Sequence, residues 1–264
     1  MAALITFSSD YGFTDEFVGV CHLVIARIAP AVPVIDVVHG IRGVRGGSFV
    51  VAQSLTEAPD DAVHLVVVDP GVGTNRRAVG IACGNGSVVV GPDNGVLFPV
   101  ADRLDGPIAA YELSESWFMN ESLSSTFHGR DVFAPAAAHL ALGVAPHEFG
   151  PSVAVDSLVR LDPPLVRVSS GRLEAEVARV DWFGNVQLAA TGEDLAISTL
   201  AGGVLANGLP ALIGEKFADV GTGELLVYVN SANQVAVACN GSSANELLRS
   251  PSVVTLAPDE ESAP

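Results

Sequence analysis

Residues 64–69 read His-Leu-Val-Val-Val-Asp, an apolar run with no polar–apolar alternation. A strand with one wet face alternates, so a strand that does not must be covered on both faces. That demand calls for layers above and below it, as in an α/β domain. The flanking sequence fits. Residues 4–8 predict a first strand, and Phe17, Val20, Cys21, Val24, Ile25 and Ile28 then recur at helical spacing. Residues 34–38 predict a second strand and 48–58 a weaker helix. Residues 78–83 and 87–90 predict two more strands, joined by the turn signal Asn85-Gly86. Residues 131–142 predict a helix with Val132, Phe133, Ala136, Ala137 and Leu140 inward. The expectation over residues 1–150 is an α/β domain on a mostly parallel sheet.

The pattern changes near Gly150. Pro151 and Asp162-Pro163-Pro164 mark 151–164 as a linker. Within 165–257, short strand signals fall at 166–168, 173–180, 186–189, 225–229 and 235–238, separated by turns. They predict a smaller, mainly antiparallel, barrel-like β domain. Ser243-x-x-Glu246 ahead of Leu247-Leu248 predicts a capping box and one short helix. The tail, 258–264, is small and acidic, and is expected to fray. A chain of 264 residues is long enough for two such cores.

Charge narrows the function. Thirty acidic residues against 13 basic ones give −17, and Lys216 is the only lysine. That field repels phosphate backbones and anionic lipid, which argues against nucleic acid or membrane as partners. It favours solubility, and mildly favours a cationic ligand. Cys21, Cys83 and Cys239 are far apart and form no Cys-x-x-Cys pair, so neither a disulfide framework nor a zinc site is indicated. The start of the chain has no basic region ahead of a long apolar run, and no stretch is long enough to span a bilayer. The expected setting is cytoplasmic.

Polar residues gather in loops that follow predicted strands, where an open α/β sheet places its ligand crevice. Asp10 follows the first strand in Ser8-Ser9-Asp10-Tyr11-Gly12, with Asp15-Glu16 opening the helix. A carboxylate there can bind the diol of a ribose, cap the helix or hold the turn. Asp69 closes the apolar run and begins Asp69-Pro-Gly-Val-Gly-Thr-Asn-Arg76-Arg77. An acid and a guanidinium in one tight loop make either a structural clasp or a paired catalytic unit. No Gly-Lys-Ser/Thr follows, so the loop is not a P-loop. His128, in Thr126-Phe-His128-Gly129-Arg130-Asp131, precedes the third helix, whose dipole disfavours imidazolium there. A neutral His128 can exchange a hydrogen bond with water. His22, His39, His64, His139 and His147 have no such setting and read as core or surface. In the second half, Asp181-Trp182-Phe183-Gly184-Asn185 and Asn230-Ser231 could hold an ammonium, a carboxylate and a ring. An ordinary β-turn with a half-buried Trp182 is the plain alternative for the first of these.

In combination the motifs resemble the S-adenosyl-L-methionine (SAM) hydroxide adenosyltransferase family, relatives of fluorinases and chlorinases. The resemblance covers residues 4–256. It rests on Ser9-Asp10-Tyr-Gly, Val68-Asp69-Pro-Gly-Val-Gly-Thr, Gly91-Pro-Asp-Asn-Gly-Val-Leu, Thr126-Phe-His-Gly-Arg-Asp-Val-Phe, Asp181-x-Phe-Gly-Asn185 and Val229-Asn-Ser. It implies hydrolysis of SAM to adenosine and L-methionine by in-line attack of water at the ribose C5′, with no metal and no cofactor. Asp69, Arg76 and His128 match the water-activating positions, with Asp69 and His128 expected to orient the water and accept its proton. Asp10 matches the ribose position. Asp181, Asn185 and Ser231 match the positions for the methionine end and Phe183 a further substrate-binding position, in a β domain expected to contribute methionine and adenine contacts. The resemblance also implies a homotrimer with each site completed by a neighbouring subunit.

Two departures bear on that expectation. Halogenating relatives carry a non-acidic residue at the position of Asp69, and Tyr-Ser at His128-Gly129, which tips the choice to water. Ala232 stands where fluorinases carry an arginine that clamps the methionine carboxylate, and Arg77 could share duty with Arg76. The rival readings are a halide-dependent SAM lyase, a non-catalytic SAM or adenosine binder, and a metal-dependent hydrolase on Asp10, Asp15 and His128. The last lacks any His-x-His or His-Glu-x-x-His spacing.

Overall fold

The computed structural model describes residues 4–259. The chain divides into two compact units, Met1–Leu161 and Asp162–Pro264.

The first unit contains β1 (Ile5–Ser9), α1 (Phe17–Ile28), β2 (Val34–Val38), α2 (Val44–Ser54), β3 (Val63–Val67), β4 (Ala78–Cys83), β5 (Val88–Pro92), α3 (Phe98–Arg103), β6 (Pro107–Glu112), α4 (Ala134–Ala141) and β7 (Ser152–Val153). They form one sheet in the order β2-β1-β3-β5-β4-β6-β7. It is parallel from β2 through β5 and antiparallel from there to β7. The run at 64–69 does what its lack of alternation required. Val63, Leu65 and Val67 join the core beneath α1 and α4, while Val66 and Val68 join the core beneath α2 and α3. β4 and β5 form the hairpin expected at Asn85-Gly86.

Several details differ from the pattern. On α1 the buried stripe is Val18, Cys21, Val24 and Ile25, and Phe17 turns out to pack edge-on against Phe127 and tilted against Tyr11. α2 begins at Val44, ahead of the expected start at 48. Gly46 and Gly47 weaken its helical signal, yet Gly47 lets the helix approach β3: a Cβ there would stand 3.0 Å from Ile41 and 3.2 Å from Val68. The helix expected over 131–142 opens as a π turn, Gly129–Phe133, before α4. β7 and the turn Val155–Ser157 belong to the first unit, where Arg77 donates to Ser157 Oγ and to its carbonyl.

The second unit contains β8 (Val166–Ser169), β9 (Arg172–Val180), β10 (Val186–Thr191), α5 (Gly192–Ser198), β11 (Gly203–Ala206), β12 (Leu209–Ile213), β13 (Leu225–Val229), β14 (Gln234–Cys239), α6 (Ala244–Leu247) and β15 (Val253–Pro258). Seven strands close into a barrel in the order β10-β14-β13-β12-β11-β15-β9, because β9 also pairs with β10, and β8 adds to β9 outside the ring. Only the β12–β13 pairing is parallel. Alternate inward residues such as Val186, Leu188 and Ala190 fill the interior. Ser243 accepts the Glu246 N–H at 3.2 Å and starts α6, which bears out the cap but only that half of the expected capping box. The expected tail is shorter than 258–264: Pro258 pairs with Val204 as the end of β15, and 260–264 lie outside the described residues. No helix among the described residues is long and apolar enough to cross a membrane.

Candidate active site

The chain leaves β1 for β2 on one side of the sheet and returns to β3 on the other. Such a reversal opens a crevice at the carboxyl ends of the two strands. Asp10 follows β1 and Asp69 follows β3. The Asp10 N–H donates to the Val67 carbonyl at 3.2 Å, and the Asp69 N–H donates to Asp10 Oδ2 at 3.0 Å. One Asp10 oxygen is thereby fixed while the other can receive a hydroxyl. Burial pushes the Asp10 carboxyl above its ordinary range, against the pull of those backbone donors.

The loop after Asp69 reverses through two tight turns, Val72 N–H to Asp69 C=O and Thr74 N–H to Gly71 C=O. Gly73 sits at φ +79° with its α-carbon against the Ser125 carbonyl, where no side chain fits. This reversal faces Arg76 back toward Asp69. Arg76 Nε lies 3.0 Å from each Asp69 oxygen, and Nη2 lies 2.5 Å from Oδ2. Nη2 also lies 2.7 Å from His128 Nδ1, and the guanidinium rests over the Phe133 ring. Asp69 and Arg76 side chains are only 5% and 9% exposed, so their pairing is desolvated and geometrically fixed.

This geometry assigns the histidine. A guanidinium can only donate, so His128 Nδ1 must accept, and a neutral ring then carries its proton on Nε2. Burial lowers the His128 pKa first, with the Arg76 charge adding to it and Asp69 and Asp131 opposing. The lowering matches expectation, but its causes are burial and Arg76. With Nδ1 filled by Arg76 and Nε2 protonated, His128 in this state offers a hydrogen-bond donor, and Asp69 is the acceptor beside it.

Arg77 takes no part. It donates to Asp93 Oδ2 through Nε at 2.8 Å and Nη2 at 2.5 Å, and Asp93 Oδ1 accepts the Val159 N–H at 2.8 Å. Tyr11 packs against Gly129 and the Phe17 and Phe127 rings. Its hydroxyl occupies the space where a side chain on residue 129 would project, so only glycine fits beside His128. Asp10, Asp15 and His128 do not gather: among the described residues, no group of three His, Cys, Asp or Glu could hold a metal ion.

In the second unit, Asp181 closes the β9–β10 turn. Its Oδ1 accepts the N–H groups of Phe183 and Asn185, both at 2.9 Å, and its Oδ2 accepts Asn185 Nδ2 at 2.8 Å. The ordinary turn weighed from sequence is therefore present, but Trp182 is 94% exposed, not half-buried. Phe183 and Asn185 line a cavity of about 620 Å³ with Phe217, Cys239, Asn240 and Ser243. No sequence signal singled out Phe217 or Asn240. Ser231 stands elsewhere. Val186 pairs with Val237 and Thr191 with Gln234, so the 181–185 turn and the Ser231 turn flank opposite ends of β14.

Comparisons with known proteins agree on one relationship. Residues 5–150 match the SAM hydroxide adenosyltransferase N-terminal domain, and residues 175–252 its C-terminal domain. An (R)-S-adenosyl-L-methionine hydrolase of Salinispora tropica is 50% identical over 246 residues, 92% of this chain and 93% of that protein. A fluorinase of Actinoplanes sp. is 29% identical over 273 residues, covering 90% and 91%. The crystal structure of an uncharacterized conserved protein from Thermotoga maritima superposes with a TM-score of 0.88 at 34% identity, covering 97% and 100%.

Proposed function

This chain belongs to the SAM hydroxide adenosyltransferase family, and from that premise we propose how it hydrolyses SAM to adenosine and L-methionine. The observation that carries the reading is the single Arg76 guanidinium bound to both Asp69 and His128 Nδ1. It leaves a donor, His128 Nε2–H, and an acceptor, Asp69 Oδ1, for one water. Oδ1 is the freer oxygen, because Oδ2 also receives Arg76 Nη2.

The steps balance without a metal or a second cofactor. The water oxygen bonds to C5′ while the C5′–S bond breaks, and methionine leaves as a neutral thioether. The water proton passes to Asp69 and then to solvent. A sulfonium and a carboxylate are both neutralised as the reaction proceeds, and a dry site favours that charge annihilation. A halide would stand beside the buried Asp69 carboxylate, like charge against like in a desolvated pocket, so this arrangement opposes a halide lyase. Asp10 would take the ribose diol. The aromatic faces of Phe183 and Phe217, with the amides of Asn185 and Asn240, suit a purine in the cavity of the second unit. Ala232 supplies no cation, so Ser231 and backbone N–H groups are left for the methionine carboxylate.

The same proposal includes a homotrimer in the cytoplasm, neighbouring subunits completing each other's sites. Exposed Trp117, Ile108 and Leu23 on the first unit support association, and three buried, unpaired cysteines fit a reducing compartment. A monomer by light scattering would remove the trimer.

The reaction is tested by incubating nucleoside-free protein with SAM in ¹⁸O-water. Adenosine labelled at its 5′ oxygen, with stoichiometric methionine, is the expected product. Intact SAM, or 5′-halo-adenosine formed only with added halide, would overturn the reading.

A further inference from the structure

Sequence assigned His39 no role, yet it anchors a buried polar network outside Asp69, Arg76 and His128. The ring is fully buried, with the edges of Phe7 and Phe13 against it at centroid distances of 4.6 and 4.8 Å. His39 Nδ1 lies 2.7 Å from Ser9 Oγ, and Nε2 lies 3.0 Å from Asp36 Oδ1, close but off the hydrogen-bond line. His22 Nε2 reaches the same Asp36 oxygen at 2.8 Å. Ser9 Oγ in turn lies 3.3 Å from the Tyr11 N–H.

The directions of these bonds follow from what each group can do. A carboxylate only accepts, so the His39 proton belongs on Nε2, facing Asp36. Nδ1 is then an acceptor, and Ser9 must donate its hydroxyl to it. That leaves the Ser9 oxygen lone pairs to receive the Tyr11 amide. The chain of bonds ends on the two residues that flank the crevice. Asp10, between Ser9 and Tyr11, receives the Asp69 N–H, and the Tyr11 hydroxyl packs on Gly129 beside His128.

We propose that His39, oriented by Asp36, is a positioning residue: through the Ser9 hydroxyl it fixes the Ser9-Asp10-Tyr11 corner, and with it the placement of Asp69 and His128. Asp36 and His22 lie on the far side of the ring from Ser9, so the network joins the outer strand β2 to the ends of β1 and β3. Only its kinetic consequence rests on the hydrolase reading. Its structural consequence is independent of any substrate.

Two substitutions separate this role from mere packing. In His39→Asn the side-chain amide stands near the place of Nδ1 and keeps an acceptor for Ser9. In His39→Gln the amide reaches toward Asp36 and leaves Ser9 without its acceptor. Expected for His39→Gln is a loss of roughly tenfold or more in methionine release from SAM, since small misplacements of reacting groups are costly. Faster hydrogen exchange at the Tyr11 and Asp69 amides should accompany it. His39→Asn should stay near wild type in both readouts. Ser9→Ala removes the same link without disturbing the ring and must accelerate the same two amides. Equal losses in the two His39 variants, or unchanged exchange at both amides in Ser9→Ala, would overturn the proposal. A wild-type protein that releases no methionine from SAM would sink the hydrolase reading, while the exchange measurements still decide the network.

Discussion

Asp69 and Asp181 are both carboxylates at the end of a strand, one in each unit, and they are held in opposite ways. Asp69 is cross-linked by residues distant in sequence: Asp10 receives its amide, Arg76 clasps its side chain, and Arg76 continues to His128. Asp181 is held wholly by its own turn, through Phe183 and Asn185. The first arrangement builds a rigid, desolvated donor–acceptor pair before any ligand arrives, as electrostatic catalysis requires. The second shapes a loop whose aromatics stay in water, with Trp182 94% and Phe183 76% exposed. A buried donor–acceptor pair is preorganised in one unit, and aromatic side chains are presented on a local turn in the other.

The sharpest way to break this contrast is to neutralise each acid without changing its shape. Asp69→Asn should cut methionine release by about 10²–10⁴-fold, the usual range for a lost general base. Adenosine affinity should change only a few-fold, because the contacts proposed above for Asp10 and for the cavity of the second unit are untouched. Asp181→Asn keeps an acceptor for its turn and should cost less than about tenfold, chiefly in KM. Comparable losses in the two variants, measured by steady-state kinetics and adenosine titration, would erase the distinction.

Acidification offers a second test, because all six histidines lie in the first unit and none in the second. Burial lowers the pKa values of His39, His64, His128 and His139, and takes His64 down to about 4. Below pH 6.5 the unfolded chain therefore binds protons that the native first unit refuses, and stability falls with pH across the window from 6.5 to about 4. His64 alone should remove about 2 kcal/mol by pH 5, from the linkage between these two values. Asp10, whose carboxyl is raised by burial, works in the opposite sense and offsets part of this. Native-state hydrogen exchange, corrected for the chemical rate, should show the loss in first-unit peptides only. Equal losses in both units would contradict the assignment. Activity should persist below pH 6.5, since His128 is lowered and its neutral form is the one in place.

The same contrast explains what the sequence could reveal. The β3 run, the β4–β5 hairpin and the cap of α6 are local signals, and the structure carries all three. β11, β12 and β15 are short, with Gly203, Pro210 and Pro258 in them, and closure of the barrel, not periodicity, makes them strands. Arg76 and Arg77 could not be told apart because both are guanidinium groups in one loop. Adjacent residues of an extended chain face opposite ways, which sends one to Asp69 and the other to Asp93. The Arg76–His128 contact spans 52 residues and the Ser9–His39 contact 30, separations over which spacing carries no information. Only the family resemblance brought Asp69, Arg76 and His128 together in advance, and it was silent on His39.

The smallest expected effect lies within the exposed turn itself, between neighbours that differ in one respect. Phe183 lines the cavity and Trp182 does not. Both are largely exposed in the free protein, so replacing either by Ala should shift stability by no more than about 0.5 kcal/mol. An aromatic contact made only with ligand is worth about 0.5–1.5 kcal/mol beyond its area. Phe183→Ala should therefore raise KM for SAM roughly two- to tenfold and leave kcat unchanged, the signature of lost uniform binding. Trp182→Ala should leave KM, kcat and melting temperature alone. If Phe183→Ala instead lowers kcat, the turn does more than present a binding face, since a loss confined to turnover means that Phe183 is felt at the reacting carbon.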